Sequence, residues 1–135
     1  MYKTLIRPRY SENDAAGHIN NTVYAVWFED ARREIFKLFV PDLAPAPWNL
    51  LLVQSNITYK AEVTWVELVE VSTWVARVGN SSFTLYEEMR QEGDLKAISE
   101  ATYVQVDSVS RSPAPIPSSI VESLEKHTKL EGVKG

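Results

Sequence analysis

Residues 11–39 read Ser-Glu-Asn-Asp-Ala-Ala-Gly-His-Ile-Asn-Asn-Thr-Val-Tyr-Ala-Val-Trp-Phe-Glu-Asp-Ala-Arg-Arg-Glu-Ile-Phe-Lys-Leu-Phe. The first ten are rich in Ser, Asn, Asp and Gly and read as a loop. From Asn21 the pattern turns helical. Tyr24, Phe28, Ala31, Ile35 and Leu38 follow one another at steps of 4, 3, 4 and 3, one stripe of a 3.6-residue period. Asn20 offers a side-chain oxygen to an early helix N–H and is the expected N-cap. The spacing predicts one continuous helix over 21–39, about 28 Å long at 1.5 Å per residue. It should end before PDLAPAPW (41–48), whose prolines forbid continuation. Glu29 and Arg32 stand at the i,i+3 spacing of a surface ion pair.

Such a helix needs a broad apolar surface against its stripe, and the flanking sequence supplies strands. Residues 2–10 read as a first strand, with Pro8 suited to an edge or bulge. Further strands are predicted over 51–66, 69–78, 82–91 and 95–107. Phe83, Leu85 and Met89 share one face of the fourth strand. Ile98, Val104 and Val106 share one face of the last strand, and Ala97, Ala101 and Tyr103 the other. Glu92-Gly93-Asp94 is the turn between these two. A second proline-rich breaker, RSPAPIPSS (111–119), precedes a short helix over 118–127, and LEGVKG (130–135) reads as a frayed tail. The prediction is a single α+β domain over 1–135, with a five-stranded antiparallel sheet curled around one long helix. Trp65, Trp74, Tyr86 and Tyr103 are spread over both sheet faces, which implies that another subunit covers the outer face.

Composition sets the outer limits. The 135 residues are 44% hydrophobic and 24% charged, ordinary for a globular domain. Fourteen Lys and Arg against eighteen Asp and Glu leave a formal charge of −4, a poor basis for whole-surface nucleic-acid binding. There is no Cys, so disulfide scaffolds, thiolate catalysis and Cys-based zinc sites are excluded. Two histidines, His18 and His127, are too few for a multi-His metal site within one chain. The N-terminal MYKTLIRPRY has neither the apolar run nor the cleavage site of a signal peptide. The longest strictly apolar run, Val23 to Phe28, is far short of a membrane span. The default expectation is a cytoplasmic protein with no membrane or nucleic-acid partner.

The chemistry lies where the loop meets the helix. The first N–H groups of a helix have no internal partner, and the dipole makes that end electropositive. Aimed at a carbonyl oxygen, they form an oxyanion site. Asp14, a few residues upstream, is placed to approach the same carbonyl carbon, as a nucleophile or as a base for water. His18 can fix the loop, position a substrate or act as a base. Asn20 and Asn21 are candidates for substrate contact, although a cap at Asn20 and a main-chain role at Asn21 explain them equally. Tyr24 fits either core or pocket. Tyr59 and Lys60 could reach an extended ligand.

The run Asp14-Ala-Ala-Gly-His-Ile-Asn-Asn-x-x-Tyr24, with Phe28-Glu-x-x-Arg32 downstream, closely resembles hotdog-fold acyl-CoA thioesterases of the 4-hydroxybenzoyl-CoA thioesterase type. Gly79-Asn-Ser-Ser-Phe83 at a strand junction is a second, weaker point of likeness. The resemblance implies the hotdog fold, with Asp14 as catalytic carboxylate and the Asn21 backbone N–H polarising a thioester carbonyl. Gly17 would allow close approach of the backbone, and Glu29 could supply a second carboxylate. It also implies a homodimer with a sheet continuous across the interface, often paired into a homotetramer, each site using both chains. No cofactor is called for. Glu12-Asn13-Asp14 stands where relatives often carry Asp-x-Asp. Gly79, Asn80 and Ser81 stand where basic residues grip the coenzyme A nucleotide. The candidates for that grip are therefore Lys60, Ser81 and Ser82, with Arg77, Arg90 or Arg111 as possible substitutes, and an acyl carrier protein donor stays open. Hotdog hydratases space their Asp and His by four residues; here three intervene, Ala15 to Gly17. A hydratase or dehydratase, and a non-catalytic acyl-binding domain, remain the rival readings.

Overall fold

The computed structural model describes residues 1–43 and 48–128. Residues 44–47 of the PDLAPAPW breaker and the whole LEGVKG tail lie outside the described residues. Five strands form one antiparallel sheet in the order β1-β3-β4-β5-β2: β1 (Tyr2–Ile6), β2 (Leu50–Tyr59), β3 (Val69–Val78), β4 (Ser82–Gln91) and β5 (Asp94–Gln105). Helices α1 (Asn21–Asp30) and α2 (Arg33–Phe39) pack on its inner face, and α3 (Ser118–Glu125) closes the chain. The α+β class and the five antiparallel strands follow the sequence pattern.

The expected 19-residue helix is broken in two, which corrects the single long rod. The stripe itself is right: Tyr24, Phe28, Ala31 and Ile35 are all buried. Arg32 interrupts it, lying four residues after Phe28 and therefore toward the sheet. Its backbone adopts φ −91°, ψ 3°, and its N–H bonds Glu29 O in a tighter i−3 turn. The guanidinium then reaches the sheet. Arg32 Nε and Nη2 donate to Glu87 Oε1 at 2.9 and 2.8 Å, Nη1 to the Tyr103 hydroxyl at 2.8 Å, and Nη2 to Ser99 Oγ at 3.2 Å. Thr73 Oγ1 donates to Glu87 Oε2 at 2.9 Å. The expected Glu29–Arg32 ion pair is thus replaced by a buried Arg32–Glu87 pair.

Register explains the geometry of this network. Thr73 pairs with Glu87 and Glu87 with Ser99, so the three form one polar row across β3, β4 and β5. All three are fully buried. On one side lies an apolar cluster around Phe28, Val69, Val71 and Met89; on the other lies a second around Ile35, Phe83, Leu85 and Leu124. Burial works against the Arg32 cation, but Glu87 and Tyr103 more than offset it and hold the guanidinium above its ordinary value. The same burial pushes the Glu87 carboxyl up, while Arg32 draws it back.

Two strand ends also differ from expectation. β1 stops at Ile6, because Pro8 cannot donate to a ladder, and a 3-10 turn follows at Tyr10–Glu12. β2 stops at Tyr59 rather than residue 66. There the N–H groups of Lys60 and Ala61 both donate to Lys96 O, which turns the chain out of the sheet. The alternation of Ala61, Val63 and Trp65 imitates a strand, but Val63 is buried for another reason: its backbone braces the loop that carries Asp14.

Candidate functional site

The segment 13–19 is a closed loop. Asn13 and Ile19 form an isolated bridge; Asp14 N–H donates to His18 O at 2.8 Å and Gly17 N–H to Asp14 O at 3.1 Å. Gly17 adopts φ +85°, which an L side chain rarely tolerates, while the space its Cβ would occupy is open. Conformation therefore calls for glycine here, and close approach by neighbouring atoms does not. Asp14 Oδ1 accepts the Ala16 N–H at 2.9 Å, an Asx turn that sets the carboxylate's orientation. Its Oδ2 makes no hydrogen bond among the described residues.

The loop runs into α1. Asn20 caps the helix as predicted, its Oδ1 accepting the Thr22 N–H at 2.9 Å and the Thr22 hydroxyl at 2.6 Å. The Asn21 N–H has no partner among the described residues. Four ties brace this corner from the end of β2 and the segment after it. Ile19 N–H donates to Val63 O at 3.0 Å, Val63 N–H to the Tyr24 hydroxyl at 3.1 Å, the Tyr24 hydroxyl to Ala61 O at 3.5 Å, and the Tyr59 hydroxyl to Asn21 O at 3.3 Å. Burial pushes the Tyr24 phenol up, and the carboxylates of Glu62 and Asp14 add to that against the pull of the Val63 N–H.

These ties leave a cavity of about 350 Å³. It brings together six of the predicted residues: Asp14, His18, Asn21, Tyr24, Tyr59 and Lys60. Asp14 is exposed at its edge. The remaining predicted residues lie elsewhere. Gly17 shapes the loop without lining the cavity. Asn20 lines a different cavity beside Arg9 and Glu12, and Glu29 a third beside Arg33 and Phe36. Ser81 and Ser82 sit on the β3–β4 hairpin, next to the second apolar cluster, whereas Ile19 and Tyr24 belong to the first. Strand length separates them from Asp14 within one chain. Beside Ser82, Arg77 Nη2 lies 3.5 Å from its Oγ and 3.3 Å from Thr84 Oγ1. Arg90 is instead tied to Glu88 and Gly93 O, and Arg111 to Trp48 O.

Sequence reasoning missed Glu62, which lines the same cavity and places Oε2 2.9 Å from His18 Nε2. No local pattern signals this pair, since 44 positions of chain separate its members and a chain turn outside the sheet brings them together. Among the described residues no cluster of His, Asp or Glu could hold a metal ion.

Comparison with known proteins agrees with this architecture. A solved structure described as a predicted thioesterase from Bacillus stearothermophilus is 40% identical, covers 97% of this chain and 98% of its own, and superposes with a TM-score of 0.93. A putative thioesterase from Pseudomonas aeruginosa is 28% identical over 90% of this chain and 96% of its own, TM-score 0.82. A thioesterase from Thermus thermophilus, solved with coenzyme A and zinc, is 22% identical over 93% and 92%, TM-score 0.79, a likeness of fold. No curated protein sequence matches. The model of the thioesterase-like superfamily matches residues 8–124, and the chain belongs to that family.

Proposed function

We propose that the chain hydrolyses acyl-CoA thioesters to the free acid and coenzyme A. One observation carries the reading: a carboxylate with a free oxygen and the unpartnered N–H that opens α1 border the same cavity. Asp14 attacks the thioester carbonyl or takes a proton from the attacking water. The Asn21 N–H, backed by the helix dipole, receives the charge that develops on the carbonyl oxygen. The thiolate leaves and is protonated, and water supplies the oxygen of the released acid. The acyl group lies along α1 against Tyr24.

The distance of Asp14 from the second candidate set favours a two-chain site. Ser81, Ser82 and Arg77 are remote from their own Asp14, so they serve a neighbouring protomer's thioester. A coenzyme A thioester as substrate accords with the coenzyme A complexes among similar folds, from Thermus thermophilus and Staphylococcus aureus. The test is steady-state hydrolysis of a panel of acyl-CoA and acyl-carrier-protein thioesters. Turnover of one class at enzymatic rates supports the reading. Tight acyl-CoA binding without turnover would replace it with a non-catalytic acyl-binding domain.

A further inference from the structure

We infer that Glu62 is a positioning residue for Asp14, acting through His18; this rests on the thioesterase reading above. His18 touches both ends of the chain of contacts. Its carbonyl accepts the Asp14 N–H at 2.8 Å, and its Nε2 lies 2.9 Å from Glu62 Oε2. The other ring nitrogen, Nδ1, is buried without a hydrogen-bond partner. A proton there would strand a buried N–H. The neutral ring therefore carries its hydrogen on Nε2 and donates it to the Glu62 carboxylate. The remaining ties between this loop and residues 59–63 use backbone or tyrosine groups. Glu62–His18 is the tie between two ionisable side chains, and it sits at the cavity's edge.

Its exposure sets what it can do. The Glu62 side chain is 70% exposed and that of His18 38%, and exposed pairs add little to global stability. The loop between Asn13 and Ile19 is short, carries Gly17 at positive φ, and bears the carboxylate on its outer side. Its freedom to shift is what the tie removes. A displacement near 1 Å at a reacting group costs up to about a hundredfold in rate. A tie of this kind is thus worth more to turnover than to folding.

The experiment compares Glu62→Ala, Glu62→Gln, His18→Ala and the double alanine variant, with Asp14→Asn as reference. Glu62→Ala should lower kcat roughly tenfold with little change in KM or Tm. Glu62→Gln keeps an oxygen acceptor for Nε2–H and should restore most of the rate. The double variant should be no slower than the slower single one. Hydrogen exchange reads the same tie without turnover: the Asp14 amide should exchange several-fold faster in Glu62→Ala and as wild type in Glu62→Gln. Unchanged kcat and unchanged exchange in Glu62→Ala, or additive losses in the double variant, overturn the assignment. If the wild type turns over no thioester, the thioesterase reading itself fails; if Asp14→Asn keeps full activity, the catalytic role of Asp14 falls and the positioning role with it. If Asp14→Asn is inactive while Glu62→Ala turns over at the wild-type rate with wild-type exchange at the Asp14 amide, only the positioning role falls.

Discussion

At the scale of single residues, the two ends of the Asp14–Asn20 segment separate chemistry from folding. Asp14 uses one oxygen to hold its own turn through the Ala16 N–H and leaves the other unbonded. Asparagine in its place keeps an oxygen for that turn and removes the charge. Asp14→Asn should fold with an unchanged melting curve and lose about a hundredfold or more in kcat, read by thioester hydrolysis. Asn20 is the converse case. Its oxygen accepts two hydrogen bonds from Thr22. Asn20→Ala should cost about 1 kcal/mol in urea unfolding, with any activity loss secondary to disorder at the first turn. The Asn20 cap and the placement of Asp14 beside the helix start were legible in the sequence, because loop, cap and helix start are local patterns. Glu62 was not, because its partner is chosen by a turn in the chain after β2 that periodicity reads as more strand.

Among the elements, the break between α1 and α2 is the main departure from the sequence pattern, and the polar row accounts for it. Phe83, Leu85 and Met89 marked the inner face of β4 correctly, and Glu87 falls on that face by the same alternation. A carboxylate there needs a buried partner. Arg32 was read as part of an exposed helical pair because spacing along a helix is visible and an approach from across the sheet is not. Removing one member should therefore be severe. Arg32→Met leaves Glu87 buried without its cation and should cost about 3–5 kcal/mol in chemical denaturation. Arg32→Met with Glu87→Leu removes the charges together and should recover much of that loss, short of the wild type because Thr73 loses Glu87 and Ser99 and Tyr103 lose Arg32. A double variant less stable than Arg32→Met alone would mean that the row is held by its hydroxyls and the ion pair is incidental.

For the whole molecule, the question is what covers the sheet's edge. The order β1-β3-β4-β5-β2 leaves β1 and β2 outermost. β1 is five residues long and carries Lys3, both common ways of blunting an edge. β2 has ten residues, Leu-Leu-Leu-Val-Gln-Ser-Asn-Ile-Thr-Tyr, with neither a charge nor a proline. Leu52 and Val53 are 46% and 57% exposed in the single chain. An edge so long, apolar and unguarded invites a matching strand, and a second copy offers one through a two-fold axis. The strand also leads directly into Tyr59, Lys60 and Glu62 at the Asp14 cavity, so pairing there would bring the partner beside the site. The subunit contact inferred from scattered aromatic residues is thus better argued from β2 than from the outer face, where Trp74 and Tyr86 already pack on each other at 5.9 Å. Sedimentation of the wild type should give a dimer or a multiple of one. Val53→Lys places a charge on the edge and should shift it toward monomer, with kcat/KM for an acyl-CoA falling in parallel as the site loses its second chain. A wild type that stays monomeric at micromolar concentration while hydrolysing acyl-CoA would confine the site to one protomer and leave Ser81, Ser82 and Arg77 without a part in it.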